Sequence, residues 1–63
     1  MEKTRVVIAD DNERILQLLE DILASDEDLE VVGKAKNGEE AINVISDTEP
    51  DVALIFKPYF VCN

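Results

Sequence analysis

Residues 6–9, Val-Val-Ile-Ala, are apolar at every position and lead directly into Asp10 and Asp11. A strand with one face in water alternates apolar and polar residues, whereas a strand covered on both faces is apolar throughout. Strands of the second kind are typical of parallel sheets flanked by helices. We therefore predict a strand over residues 5–9 within an α/β domain, and this run constrains the fold more than any other feature.

The rest of the sequence continues the alternation of strand and helix patterns. Apolar residues recur at intervals of three and four over residues 13–24, which predicts a helix with Asp11 or Asn12 as its N-cap. A second strand over 29–35 has the charged flanks of a sheet edge, and a second helix over 39–46 follows the Asn37-Gly38 turn. The apolar residues 51–56 predict a third strand. This β-α-β-α-β order predicts right-handed crossovers and a parallel sheet.

We expect each helix to bury one apolar stripe against the sheet. In the first helix the expected stripe comprises Ile15, Leu18, Leu19, Ile22 and Leu23. In the second helix it comprises Ala41, Ile42, Val44 and Ile45. These residues are the predicted contribution of the helices to the core.

The size of the chain limits how much stability its own core can supply. A sequence of 63 residues is one small domain at most, and such a domain buries only about 60% of its unfolded surface. The apolar fraction of 46% is normal for a folded protein. The single cysteine, Cys62, excludes an internal disulfide. We therefore expect a partner to contribute stability.

The charge of the chain restricts its partners. Fifteen acidic residues against six basic ones give a formal net charge of −9, which argues against binding to nucleic acid or to an anionic membrane. The sequence shows neither a signal peptide nor an apolar run of about 20 residues. We expect a cytoplasmic location.

Asp10 and Asp11 follow the first predicted strand, where open α/β sheets place their ligand crevice. Adjacent carboxylates repel each other, and oxygen ligands favour a hard cation such as Mg²⁺, which takes one or two protein carboxylates and keeps several waters. Two interpretations stay open. The pair is a cation site, or one aspartate caps the first helix and the other is solvated.

Three blocks of sequence together resemble a bacterial response-regulator receiver domain over about residues 3–55: Val-Val-Ile-Ala-Asp-Asp-Asn at 6–12, Val-Val-Gly-Lys-Ala-Lys-Asn-Gly-Glu-Glu-Ala at 31–41, and Pro-Asp-Val-Ala-Leu-Ile at 50–55. The first two look most like receivers fused to DNA-binding domains, in particular the sporulation master regulator family. The resemblance implies a flavodoxin-like fold with strand order 2-1-3-4-5. We expect residues 1–56 to form a truncated receiver-like half with order 2-1-3 and helices on opposite faces, followed by a divergent tail over 57–63.

The resemblance also implies a chemistry for the site. In receivers a histidine kinase or phosphotransferase transfers a phosphoryl group to an aspartate at the tip of the third strand, and Mg²⁺ is held by that aspartate and the acidic pair. Carried over by position, Asp10 and Asp11 are the Mg²⁺ ligands, and Phe56 occupies the place of the acceptor. Because a phenyl ring is neither a nucleophile nor a metal ligand, the resemblance implies that this chain cannot be phosphorylated and that its Mg²⁺ site is weak.

Lys57 and Pro58 leave a second alignment open. Receivers carry a Lys-Pro pair after their fifth strand, and the lysine contacts the phosphoryl group; residues 55–59 resemble that segment. In this alignment the middle of the domain has been deleted and Lys57 is a phosphoryl contact. In the first alignment Lys57 is a solvated turn residue and the tail is altered or frameshifted. The Pro50-Asp51 lead-in favours the first alignment.

Three functional interpretations follow. The chain is a receiver remnant of a phosphorelay response regulator, a protein-interaction module, or an excised or engineered half-domain without activity. As a module it would bind a kinase, a phosphotransferase or an intact receiver through its first helix. A bare apolar edge on the third strand predicts a symmetric homodimer that pairs this strand or the tail. We do not expect an enzyme, because the chain has no histidine and no activated nucleophile.

Overall fold

The computed structural model describes residues 2–56. Five elements follow one another: β1 (Thr4–Ala9), α1 (Glu13–Ala24), β2 (Leu29–Ala35), α2 (Gly38–Thr48) and β3 (Val52–Ile55). The predicted bounds of α1 and β2 are confirmed. The second helix is longer than predicted and the third strand shorter. The tail over 57–63, with Lys57 and Cys62, lies outside the described residues.

The three strands form one parallel sheet in the order β2-β1-β3. This confirms the predicted half of a flavodoxin-like fold, with the most apolar strand at its centre. The prediction that β2 lies at an edge is also confirmed. Among the described residues, β3 forms the other edge, so β1 alone is paired on both sides.

Arg5 and Asp51 join β1 to the start of β3, at the end of the sheet opposite the acidic pair. The Arg5 backbone N–H donates to Asp51 Oδ2 at 2.9 Å, and the Asp51 N–H donates to the Arg5 carbonyl at 2.9 Å. The Arg5 guanidinium also donates to the Glu49 carbonyl at 3.2 Å. Glu49 has a left-handed backbone (φ 47°) and ends α2. These bonds fix the connection from α2 into β3.

Helices α1 and α2 cover opposite faces of the sheet. Val6 and Ile8 are buried in one cluster with Leu16 of α1, whereas Ala9 is buried in another with Ala35 and Ala41 of β2 and α2. Successive side chains of a strand point to opposite faces, so the two clusters lie on either side of β1. This covering of both faces accounts for the uninterrupted apolar run of the central strand.

A bulge in β2 shifts which of its residues face each helix. Val6 pairs with Val31 but Val7 pairs with Gly33, so Val32 is an extra residue. As a result Val31 packs on the α1 side, while Gly33 and Ala35 beyond the bulge face α2. A Cβ atom at Gly33 would overlap Cγ1 of Val44. Glycine at this position therefore allows α2 to approach the sheet closely.

The stripe predicted for α1 is wrong in part, because this helix carries two apolar stripes with identical spacing. The inner stripe comprises Leu16, which is buried, and Leu19 and Leu23, which pack beside it. The outer stripe comprises Ile15, Leu18 and Ile22, which are 37%, 55% and 55% exposed. Periodicity cannot choose between stripes spaced alike, and Leu16, absent from the predicted stripe, is the residue that the sheet buries.

In α2 the prediction fails at a single position. Ala41 is buried, and Val44 and Ile45 are half-buried, as expected. Ile42 is 66% exposed, because it lies on the side of the helix that faces away from the sheet.

Neither helix of residues 2–56 is long and apolar enough to cross a membrane.

Candidate functional site

Asp10 and Asp11 lie immediately beyond β1, and their environments differ. Asp10 is only 4% exposed. Its backbone N–H donates to the Ala35 carbonyl at 3.1 Å, and its Oδ1 accepts the backbone N–H of Asn12 at 2.8 Å. Asp11 is exposed. The sheet therefore holds the Asp10 carboxylate in a defined place and presents that of Asp11 at the surface beside it.

Neither aspartate caps α1. Asn12 is the N-cap, and its Oδ1 accepts the backbone N–H groups of Arg14 at 2.9 Å and Ile15 at 3.4 Å. Of the two N-cap candidates, Asn12 is thus the one that the structure supports. The interpretation in which one of the two aspartates caps the helix is wrong, because the neighbouring amide already satisfies these donors.

Phe56 lies at the tip of β3, beside the acidic pair. Ile55 pairs with Ala9, and the Phe56 N–H donates to the Ala9 carbonyl at 3.2 Å. Residues 10 and 56 therefore follow the ends of two neighbouring parallel strands, at the same edge of the sheet. The phenyl ring is 47% exposed. The structure therefore places Asp10, Asp11 and Phe56 at one edge of the sheet.

A shallow depression opens beside the acidic pair, between the start of α1 and the end of β2. It is lined by Asp11, Asn12, Glu13, Arg14 and Lys36. Two of these side chains are acidic and two are basic, so the depression is close to neutral in spite of the strongly acidic chain. Lys36 is a site residue that the sequence analysis missed.

Lys36 reaches across the depression from the loop after β2. Its Nζ lies 2.9 Å from Glu13 Oε1 in the first turn of α1. The hydrogen bond and the charge of Lys36 lower the pKa of the Glu13 carboxyl. The same two effects of Glu13, with the charge of Glu40, raise the pKa of the Lys36 ammonium. Each group thus favours the charged form of the other.

The backbone around Lys36 is fixed by the start of α2. The Lys36 N–H donates to Glu40 Oε1 at 2.8 Å, and the Glu40 N–H donates to Oδ1 of Asn37, the N-cap, at 2.8 Å. This reciprocal pattern resembles a capping box. The Asn-x-x-Glu pattern at residues 37–40 signals this helix start in the sequence, whereas the prediction above rests on the Asn37-Gly38 turn alone.

The donor set at the tip of β1 suits a hydrated Mg²⁺ ion. Residues 2–56 contain no group of three or more acidic, histidine or cysteine side chains arranged to hold a metal. Mg²⁺, however, is commonly held by one or two carboxylates and keeps several waters. Asp10 and Asp11 could supply those carboxylates, whereas Phe56, at the same edge of the sheet, has no side-chain oxygen to add.

The chain is similar to part of two larger proteins. A protein-glutamate methylesterase/protein-glutamine glutaminase of Methanococcus maripaludis is 46% identical over 52 residues, which cover 82% of this chain and 14% of the relative. A second protein of that name, from Syntrophomonas wolfei, is 38% identical over 55 residues, covering 87% of this chain and 16% of the relative. The chain therefore spans about one seventh of their length. No family model matches it.

These relatives and the β2-β1-β3 topology together support a receiver segment of the response-regulator type in general. They do not support the sporulation master regulator family in particular.

Proposed function

We propose that this chain is a response-regulator receiver segment that binds a divalent cation weakly and accepts no phosphoryl group. The observation that carries the proposal is the position of Phe56, whose backbone N–H bonds to the carbonyl of Ala9, directly before Asp10. Transfer of a phosphoryl group needs a nucleophile in line with the donor and close to the metal. At this position a phenyl ring offers none.

The strand order supports the alignment that assigns Phe56 to the acceptor position. In a receiver with order 2-1-3-4-5 the third strand pairs with the first, whereas the fifth is separated from it by two strands. Here β3 pairs directly with β1. This pairing supports the assignment of the strand that ends at Ile55 to the third-strand position. A phosphoryl contact at Lys57, outside the described residues, stays a prediction of the other alignment.

Asp10 and Asp11 would hold the cation, and a bound Mg²⁺ would offset the negative charge that collects at this edge of the sheet. Asp10 is positioned by the bond from the Asn12 N–H, and Asp11 lies at the rim of the depression. With only two carboxylates available, the affinity is expected to be low.

Exposure to a small phosphodonor tests the proposal. The 63-residue chain is incubated with acetyl phosphate and Mg²⁺, with an intact receiver domain treated in parallel as the positive control. Intact mass spectrometry is expected to show a phosphoryl adduct on the control and none on this chain. An adduct on this chain that is lost in base, as an acyl phosphate is, would contradict the proposal.

The hydrolase activities named for the relatives are not proposed for this chain. It spans 14% and 16% of the two relatives, and it has no histidine to serve as a general base. We propose that it corresponds to a signalling part of such a protein in the cytoplasm. Membership of the sporulation master regulator family stays a prediction.

A second candidate function, a protein-interaction module, is favoured by the outer stripe of α1. Leu18 and Ile22 are both 55% exposed on one side of the helix, and such a stripe fits the groove between two partner helices. The partner we propose is a histidine kinase or phosphotransferase. Replacement of Leu18 by Glu is expected to abolish capture by such a partner and to leave the circular dichroism spectrum unchanged. Equal capture by both forms would contradict this function.

The outer edge of β3 is proposed to pair with a second copy. Val52 and Ile55 are 41% and 38% exposed along it, and an apolar edge strand readily pairs with another strand. Sedimentation equilibrium of the full chain is expected to show a dimer, which Ala53→Pro on this edge would dissociate. A wild-type chain that stays monomeric up to millimolar concentration would contradict the dimer.

A further inference from the structure

Lys36 is the feature of the site that neither the fold nor the proposed function explains. Its side chain is half-exposed, and it lines the same depression as Asp11. It is held there at both ends, because its backbone N–H donates to Glu40 and its ammonium donates to Glu13. A long cationic side chain is thus fixed at the same depression as Asp11 on a strongly acidic chain.

Lys34, two residues earlier and within β2, forms a comparable salt bridge away from the acidic pair. Its Nζ lies 2.9 Å from Glu20 Oε1, so it also ties β2 to α1. The side-chain exposures of the two lysines are similar, 42% for Lys34 and 50% for Lys36. Glu20, however, lies two turns further along α1 than Glu13, and Lys34 does not line the depression of Asp11. The two bridges differ in their distance from the acidic pair.

We propose that Lys36 is an internal counter-ion that sets the cation affinity of the Asp10–Asp11 pair; this inference rests on the cation site proposed above. A fixed positive charge at the rim of the site repels an entering divalent cation. Lys36 also forms a salt bridge with Glu13, whose negative charge would otherwise add to the negative potential of the depression. Lys36 thereby lowers the affinity for Mg²⁺ and reduces the repulsion among the acids when no metal is bound.

The size of the effect follows from Coulomb's law at a solvated surface. Loss of one positive charge close to a divalent ion is expected to tighten binding by roughly threefold or more at low salt. The gain shrinks as salt is added, because charges on the surface are screened beyond about 10 Å at 0.1 M ionic strength. An effect on affinity that fades with salt is therefore the signature of this role.

The test compares Lys36→Gln with Lys34→Gln in the full chain. Both variants remove one positive charge and one salt bridge to α1, so the change in net charge and the loss of a helix contact are the same in both. Lys36→Arg keeps the charge and serves as a second control. Binding of Mg²⁺ is measured by titration of the backbone amide signals of Asp11 and Asn12 in ¹⁵N NMR spectra, which also report whether each variant is folded.

Lys36→Gln is expected to bind Mg²⁺ about threefold tighter or more at low salt, while Lys34→Gln changes by less than about twofold and Lys36→Arg matches the wild type. Equal shifts in the two Gln variants would overturn the role of Lys36 and leave the cation site standing, provided that Asp11→Asn abolishes binding. Absence of Mg²⁺ binding in the wild type and in every variant would overturn the cation site itself.

Discussion

At the scale of single residues, the adjacent side chains of Asp10, Asp11 and Asn12 lie in different environments. Asp10 is buried and hydrogen-bonded, whereas the adjacent Asp11 is exposed at the rim of the depression. Asn12 caps the helix, which leaves both carboxylates outside the capping interaction. In the local sequence Asp-Asp-Asn, helix initiation thus falls to the third side chain, and the first two are the proposed cation ligands.

The Glu13–Lys36 bridge makes a prediction at this scale. Lys36 lowers the pKa of Glu13 from its ordinary value of 4.5. A carboxyl with a lowered folded-state pKa contributes stability above its unfolded pKa, and this contribution is lost as the pH falls through the folded value. In Lys36→Gln, NMR titration without metal is expected to show the pKa of Glu13 raised toward 4.5. An unchanged pKa in that variant would contradict the bridge.

At the scale of elements, α1 shows what sequence patterns can and cannot decide. The bounds of this helix follow from its periodicity and its cap, and both were predicted. Which stripe it buries was not predictable, because residues 15, 18 and 22 and residues 16, 19 and 23 repeat at the same intervals. The buried stripe is set by packing against the sheet, where Leu16 lies in one cluster with Val6 and Ile8.

The two stripes of α1 differ in what they contribute to stability. Leu16→Ala is expected to lower the free energy of unfolding by about 2–4 kcal/mol, because it leaves a cavity beside the central strand. Leu18→Ala is expected to change it by less than about 0.5 kcal/mol, because Leu18 is largely exposed. Urea denaturation followed by circular dichroism measures both. A loss of similar size in the two variants would mean that the outer stripe is also packed in solution.

Some features of the structure could be predicted from the sequence and others could not. The central strand and the position of the acidic pair follow from one uninterrupted apolar run that ends in two aspartates, and both were predicted. The bulge at Val32 was not, because it lies in the pairing of β2 with β1 and leaves no mark in the pattern of β2 itself. Lys36 was missed because its role depends on Glu13, 23 residues away in the chain.

At the scale of the whole molecule, coverage of the sheet is uneven. Both helices pack over β1 and β2, and β1 is buried along residues 6–9. In β3 only Leu54 packs into a core cluster among the described residues, and Val52 and Ile55 stay exposed. The stability of the domain is therefore concentrated at its centre, while the strand that carries position 56 is held mainly by its pairing with β1.

Amide hydrogen exchange tests this uneven coverage. Amides of residues 6–9 are expected to exchange most slowly, and those of residues 52–55 faster, because local opening of β3 exposes little additional apolar surface. The rates are measured by NMR after transfer of the chain to D₂O. Equal protection of β1 and β3 in dilute solution would contradict the picture of a weakly held third strand.

We propose that position 56 belongs to the cation site of Asp10 and Asp11 and lacks only the carboxylate, and the variant Phe56→Asp tests this proposal. This variant is expected to bind Mg²⁺ roughly tenfold tighter than Phe56→Ala, because a third carboxylate joins Asp10 and Asp11 at the same edge of the sheet. Both variants lose the same half-exposed ring, so NMR titration of the Asp11 amide compares them on equal terms. Equal affinities in the two variants would show that position 56 is not part of the site.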